Sequence, residues 1–107
     1  MTVRPPQGNA RKVPVVALDY EIAQEQASAL GRLGRALEAA LAALADHDAA
    51  ELPGNAARKK LVQQASEALW YFIVQREACG LRDPRPVIRD YRVPAEVYVR
   101  MGARGPR

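Results

Sequence analysis

A 3-4 pattern of apolar residues runs through the first half of the chain. It comprises Ala23, Gln26, Leu30, Leu33, Leu37, Ala40 and Leu44, and Gln26 is its one polar member. Residues three and four apart share one face of a helix, so the pattern predicts a long amphipathic helix with a coiled-coil-like seam. Asp19 is a favourable N-cap, and Glu21 lies in the first turn, so we expect this helix to begin near Asp19.

Two glycines, Gly31 and Gly34, lie inside this predicted helix. Each costs about 1 kcal/mol relative to alanine in a helix interior. We expect a close approach of another element at these positions, and simple flexibility is the alternative.

A second helix is predicted from about Asn55 to Cys79, ending at Gly80, a residue type that often follows a helix. The short connection between the two helices predicts an antiparallel hairpin. Charges agree with this arrangement. Acidic residues end the first helix and basic residues begin the second, so in a hairpin the two groups face each other.

The second helix contains seven consecutive apolar residues, from Ala68 to Val74. Seven residues make about two turns and cover every face of the helix. A helix that is apolar on all sides is expected to be buried on all sides. The first helix and the C-terminal segment cover two sides, so we expect a second subunit on the third. The predicted dimer interface is Leu69, Trp70, Tyr71, Phe72, Ile73 and Val74. The alternatives are a single exposed aromatic residue or cover by the residues before the first helix.

The C-terminal third is punctuated by prolines and glycines. Asp83 is a predicted cap, with Pro84 opening a short helix that continues to about Tyr91. Pro94 opens another short helix ending at Gly102.

The fold class is therefore all-α: a long antiparallel helical hairpin plus two short C-terminal helices, which we expect to form a dimeric helical bundle. Residues 13–102 are the predicted single domain. Residues 1–12 are a predicted disordered basic tail that leads into an apolar stretch at 13–18, and residues 103–107 are a second basic tail.

The excess of positive charge lies at the two ends of the chain. The net charge is +4, yet both tails together hold five basic residues and no acid. The body keeps 11 of the 16 basic residues against all 12 acidic ones. Nucleic-acid binding is therefore expected only as weak, sequence-independent binding through the tails. A helix-turn-helix in the two short C-terminal helices is the other nucleic-acid hypothesis, and their shortness and the intervening proline count against it.

Catalytic and metal chemistry find little support in the sequence. Cys79 is predicted at a helix C-terminus, where the dipole disfavours a thiolate. The one histidine, His47, is predicted near the opposite end of the hairpin. One histidine and one cysteine cannot make a zinc site. We therefore expect no enzyme, no catalytic residues, no metal and no cofactor. A single cysteine suits the reducing cytoplasm, and no apolar run is long enough to span a bilayer.

A polar cluster remains in the last third: Gln75, Arg76, Glu77, Arg82, Asp83, Arg89, Asp90 and Tyr91. Alternating arginine and aspartate favour an ion-pair network that fastens the C-terminal segment to the second helix. The alternative is a small anionic-ligand site near Arg76, Arg82 and Tyr91.

Parts of the sequence are similar to a known family. The block from Gln75 to Asp83, with Tyr91, Val93–Pro94, Glu96–Val97 and Arg100–Gly102, resembles a family of short bacterial proteins of unknown function, of about 110 residues. Leu18–Glu21 and Ala29–Gly34 resemble it too, so that the resemblance spans about residues 17–102. It implies no activity and no catalytic residue. The leading hypothesis is a non-enzymatic, homodimeric interaction or scaffold module with a possible further protein partner.

Overall fold

The computed structural model describes the backbone of residues 4–51 and 53–104 and the side chains of residues 16–51 and 53–102. Within these ranges the chain forms four helices and no strand. They are α1 (Arg4–Ala49), α2 (Asn55–Ala78), α3 (Arg85–Asp90) and α4 (Ala95–Arg104). Helix α2 packs against both α1 and α4. The predicted all-α fold, a long hairpin with two short C-terminal helices, is confirmed.

The start of the first helix was predicted wrongly. Helix α1 begins at Arg4 and not at Asp19, so most of the expected tail and the apolar stretch at 13–18 lie within it. Pro5 and Pro6 are compatible with this start, because the first turn of a helix has amides without intrahelical partners. Residues 1–3 lie outside the described chain. Helix α4 likewise continues to Arg104, two residues past the expected end at Gly102.

The core lies where α1, α2 and α4 meet. Leu37 of α1, Leu69 of α2 and Val97 of α4 are fully buried. Ser66 of α2 is also fully buried, and its hydroxyl lies 2.8 Å from the carbonyl oxygen of Val62 and 3.0 Å from that of Val97. This hydroxyl ties α4 to α2 inside an otherwise apolar core.

One of the two predicted glycine contacts is present. Gly34 is buried, and a Cβ atom built on it would lie 2.8 Å from the Tyr91 hydroxyl and 3.6 Å from two ring carbons of Phe72. The Phe72 and Tyr91 rings meet edge to face, with centroids 5.4 Å apart. Gly34 therefore lets the residue after α3 approach α1 closely. At Gly31 the three atoms nearest to such a Cβ belong to the guanidinium of Arg35 on the same helix.

Two helices end in the same hydrogen-bonded motif. After α2, the amide of Leu81 donates to the carbonyl of Arg76 and that of Gly80 to Glu77, with Gly80 at φ 90°. This is a Schellman motif, and it confirms Gly80 as the residue that terminates α2. After α3, Arg92 takes the position that Gly80 holds after α2, at φ 53°.

Candidate functional site

The predicted dimer interface divides into two halves. Leu69, Phe72 and Ile73 are buried inside the chain itself, because α1 and α4 cover these faces of α2. Tyr71 is 55% exposed and Val74 is 39% exposed, while Trp70 is half-buried. The surface that α2 leaves open to a partner is therefore narrower than the six residues expected from the sequence.

Further exposed apolar residues lie on α1, where no interface was expected. Val16 and Tyr20, four residues apart on one face of the helix, are each 66% exposed, and Leu18 and Ile22 are exposed on the opposite face. We call the segment 4–25 of α1 the arm. The signal for it was present in the sequence, because Val16 stands seven residues before Ala23 and so continues the seam of the predicted first helix.

Arg58, in the first turn of α2, forms ion pairs with residues of two other helices. Its Nε and Nη2 donate to the two carboxylate oxygens of Asp48 at 2.8 and 3.0 Å. Its Nη1 and Nη2 also donate to the carboxylate of Glu96 at 2.9 and 2.6 Å. Arg58 thus joins the end of α1 to the start of α4, and we call these three residues the Arg58 clamp. The pairing between the end of the first helix and the start of the second is confirmed, whereas the contribution of Glu96 was not foreseen.

Hydrogen bonding within the clamp shifts the pKa values of all three residues. The hydrogen bonds from Arg58 lower the pKa of Asp48 and of Glu96 below their ordinary values of 3.8 and 4.5. The same bonds, first those donated to Glu96 and then those donated to Asp48, raise the pKa of Arg58. All three groups are therefore charged at neutral pH, and each carboxylate is held by two charge-assisted hydrogen bonds.

The predicted polar cluster forms local contacts and not one network. Arg89 pairs with its neighbour Asp90 at 2.8 Å, and Asp83 pairs with Arg85 at 2.8 Å. The side chain and then the backbone amide of Arg85 lower the pKa of Asp83 to about 2. Asp83 accepts that amide at 3.0 Å from the position before Pro84, which is the N-cap of α3 in place of the predicted Asp83.

One member of this cluster does fasten the C-terminal segment to α2. The Nη2 atom of Arg76 donates to the backbone carbonyl of Asp83 at 3.1 Å. The guanidinium carbon also lies 6.0 Å from the ring centre of Phe72, within the range of a cation–π contact. The Nε atom of Arg76 is buried and has no hydrogen-bond partner among the described residues.

The residues of the hypothetical ligand site do not line the same clefts. Two clefts beside Tyr91, of about 280 and 370 Å³, are lined partly by Leu41 and Arg92. Neither is lined by Arg76 or Arg82. Arg82 lines a cleft of about 290 Å³ with Glu77.

Cys79 and His47 lie at opposite ends of the hairpin. Cys79 is the C-cap residue of α2, where the side-chain amide of Gln75 lies 3.8 Å from its sulfur. His47 lies in the last turn of α1, with Nδ1 3.7 Å from a carboxylate oxygen of Asp48. Helix α2 separates the two ends by about 35 Å, too far for a cysteine–histidine pair within one chain. Across the part of the chain that the structure describes, no three residues of the histidine, cysteine, aspartate and glutamate types form a metal-binding group.

None of the described helices combines the length and the apolar character needed to cross a bilayer.

No curated protein and no solved structure significantly matches this chain. The model of a family of unknown function, DUF6665, matches residues 1–107. This match agrees with the resemblance seen in the sequence and extends it to both ends, so the chain belongs to the DUF6665 family.

Proposed function

We propose that this protein is a non-enzymatic interaction module that associates with a second copy of itself. The observation that carries this proposal is the arm, on which Val16 and Tyr20 remain 66% exposed although both belong to a helix. Most helical stability in proteins comes from packing of an apolar face and not from intrinsic propensity. A helix that presents such residues to water gains stability when a partner covers them.

The outer face of α2 offers a second contact surface. Tyr71 and Val74 are exposed side by side on consecutive turns, and Trp70 packs edge to face against Tyr71 with ring centroids 5.5 Å apart. Aromatic residues are enriched in protein interfaces, where they contribute large contact areas. This face remains available to a second copy or to another protein.

The described positions of Cys79 and of the Arg58 clamp favour structural roles for these residues over catalytic ones. Cys79 lies at a helix C-terminus, where the helix dipole does not favour a thiolate. The polar contacts described above join elements of the fold. The Arg58 clamp, for example, satisfies both carboxylates with one guanidinium.

Sedimentation equilibrium of the full chain over a wide concentration range tests the proposal. We expect a reversible monomer–dimer equilibrium at moderate ionic strength. A sample that remains monomeric at every concentration would remove the support for self-association.

The weak nucleic-acid binding expected through the basic ends is tested separately, by titrating an unrelated DNA duplex at several salt concentrations. That binding is lost when residues 1–12 and 103–107 are deleted if the tails carry it.

A further inference from the structure

The two clefts beside Tyr91 are parts of one groove. Both are lined by Leu41, Tyr91 and Arg92, so they meet along these three residues. Helix α1 forms one wall of the groove, and the chain that leads from the end of α3 into α4 forms the other. The clefts have volumes of about 280 and 370 Å³, which is the lower end of the size range of small-ligand sites.

Arg92 lies where the two clefts meet, at a position whose backbone conformation favours glycine. Its φ of 53° is in the left-handed region, which Gly80 adopts at the corresponding position after α2. The Arg92 side chain makes no hydrogen bond or ion pair with any residue that the structure describes. Residues held in such conformations cluster at ligand-binding sites. The guanidinium is therefore available to a group that enters the groove.

Acidic side chains border the smaller cleft on both walls. Glu38, on α1, has no hydrogen-bond or ion-pair partner in the described part of the chain. Asp90, on the opposite wall, accepts a hydrogen bond from Arg89 through Oδ1 at 2.8 Å. Two carboxylates thus line the same small space as the guanidinium of Arg92. A ligand that carries both a positive and a negative group can pair with both signs there.

The larger cleft offers an apolar surface. Its apolar lining residues are Leu41, Ala42, Leu44, Ala45 and Pro94. Ala42 and Ala45 are exposed, and their short side chains occupy little of the cleft. The Arg58 clamp completes the lining, and both of its carboxylates already bind the Arg58 guanidinium. This cleft therefore suits an uncharged, apolar part of a ligand.

We propose that the groove binds a free α-amino acid with an apolar side chain. Arg92 binds the carboxylate, Glu38 and Asp90 bind the ammonium group, and the side chain of the ligand enters the larger cleft. A carboxylic acid without an amino group would meet two like charges in the smaller cleft, and an amine without a carboxylate would leave Arg92 unpaired. The site belongs to a single chain, so it is independent of the proposed self-association.

Titration of the isotope-labelled full chain with leucine, followed by NMR, tests the proposal. We expect the amide signals of residues 38–45 and 90–92 to shift, with a Kd on the order of 1 mM because the ligand has few atoms. Each matched probe lacks one group: leucine amide lacks the carboxylate, isocaproate lacks the amino group and glycine lacks the side chain. Each should bind at least about tenfold more weakly than leucine. Absence of any shift with leucine, or a probe that binds as tightly as leucine, would overturn the proposal.

The variant Arg92→Gly separates binding from folding. Glycine removes the guanidinium and relieves the left-handed backbone, so the variant should be at least as stable as the wild type. Its affinity for leucine should nevertheless fall about tenfold or more, because the charged partner of the carboxylate is gone. Arg82→Gly is the matched control, since Arg82 lines neither of the two clefts. It should bind leucine like the wild type, and equal affinities of the two variants would contradict the site.

The variant Glu38→Gln tests the opposite charge. It keeps the shape of the side chain and removes its charge, so leucine should bind more weakly. Isocaproate should bind as well as before or better, because its carboxylate meets one like charge fewer. The difference in affinity between leucine and isocaproate should therefore shrink. A difference of unchanged size would show that Glu38 does not bind the ammonium group, and the proposal would be wrong.

Discussion

Gly34 provides a sharp test of how α1 meets the C-terminal segment. Replacing a helical glycine by alanine gains about 1 kcal/mol of helix propensity. At Gly34 the new methyl group would lie 2.8 Å from the Tyr91 hydroxyl, well inside ordinary van der Waals contact. Forcing an atom into a packed site costs about 1–3 kcal/mol. We therefore expect Gly34→Ala to destabilise the protein by about 1 kcal/mol in net terms.

The obstacle is a single oxygen atom, so a double-mutant cycle can isolate it. The Phe72 ring carbons at 3.6 Å are in ordinary contact and need not move. In a Tyr91→Phe background the hydroxyl is gone, and Gly34→Ala is expected to stabilise the protein by up to about 1 kcal/mol. The coupling between the two positions should then be about 2 kcal/mol.

Urea unfolding followed by the fluorescence of Trp70 measures these free energies, at one protein concentration because the chain is expected to dimerise. Gly31→Ala is the matched control in the same helix, since only the end of the Arg35 side chain lies near it, at 3.3 Å. It should stabilise both backgrounds equally. Additive effects of Gly34→Ala and Tyr91→Phe would refute the close contact between α1 and Tyr91.

Three further predictions concern charge and backbone conformation. Arg58→Ala should lower the melting temperature more than the control Lys59→Ala, because Arg58 pairs with carboxylates of two other helices. Equal effects would show that the clamp contributes nothing. The pKa values of Asp48 and Glu96 are depressed in the folded state, so their stabilising effect is present above the ordinary values of 3.8 and 4.5 and is lost as the pH falls below them. The difference in melting temperature between wild type and Arg58→Ala should therefore shrink on acidification, and a constant difference from neutral to acidic pH would contradict this. Arg92→Gly should stabilise the protein by up to about 1 kcal/mol in urea unfolding, because Arg92 has φ 53° and glycine adopts this conformation without strain; a clear loss of stability would mean that the Arg92 side chain makes a stabilising contact.

Local patterns were sufficient to predict the secondary structure of most of the chain. The 3-4 spacing from Ala23 to Leu44 predicted the part of α1 that packs on α2, and Gly80 marked the end of α2. These features depend on neighbours along the sequence, which is why they can be read from it. The start of α1 was missed because proline and charge were interpreted as disorder, although Val16 already continued the seam.

Tertiary structure decided which apolar residues are buried and which charges meet. Along α2 the run from Ala68 to Val74 is apolar throughout, yet only the packing of α1 and α4 determines that Leu69 is covered and Tyr71 is not. Glu96 reaches Arg58 from 38 residues away, a contact that no local pattern specifies. The sequence by itself determined where helices form, because helix periodicity is a local property. Only the folded chain shows that α1 is longer than α2 and that the arm is left uncovered. The reason is that burial of a residue depends on which other elements pack against it.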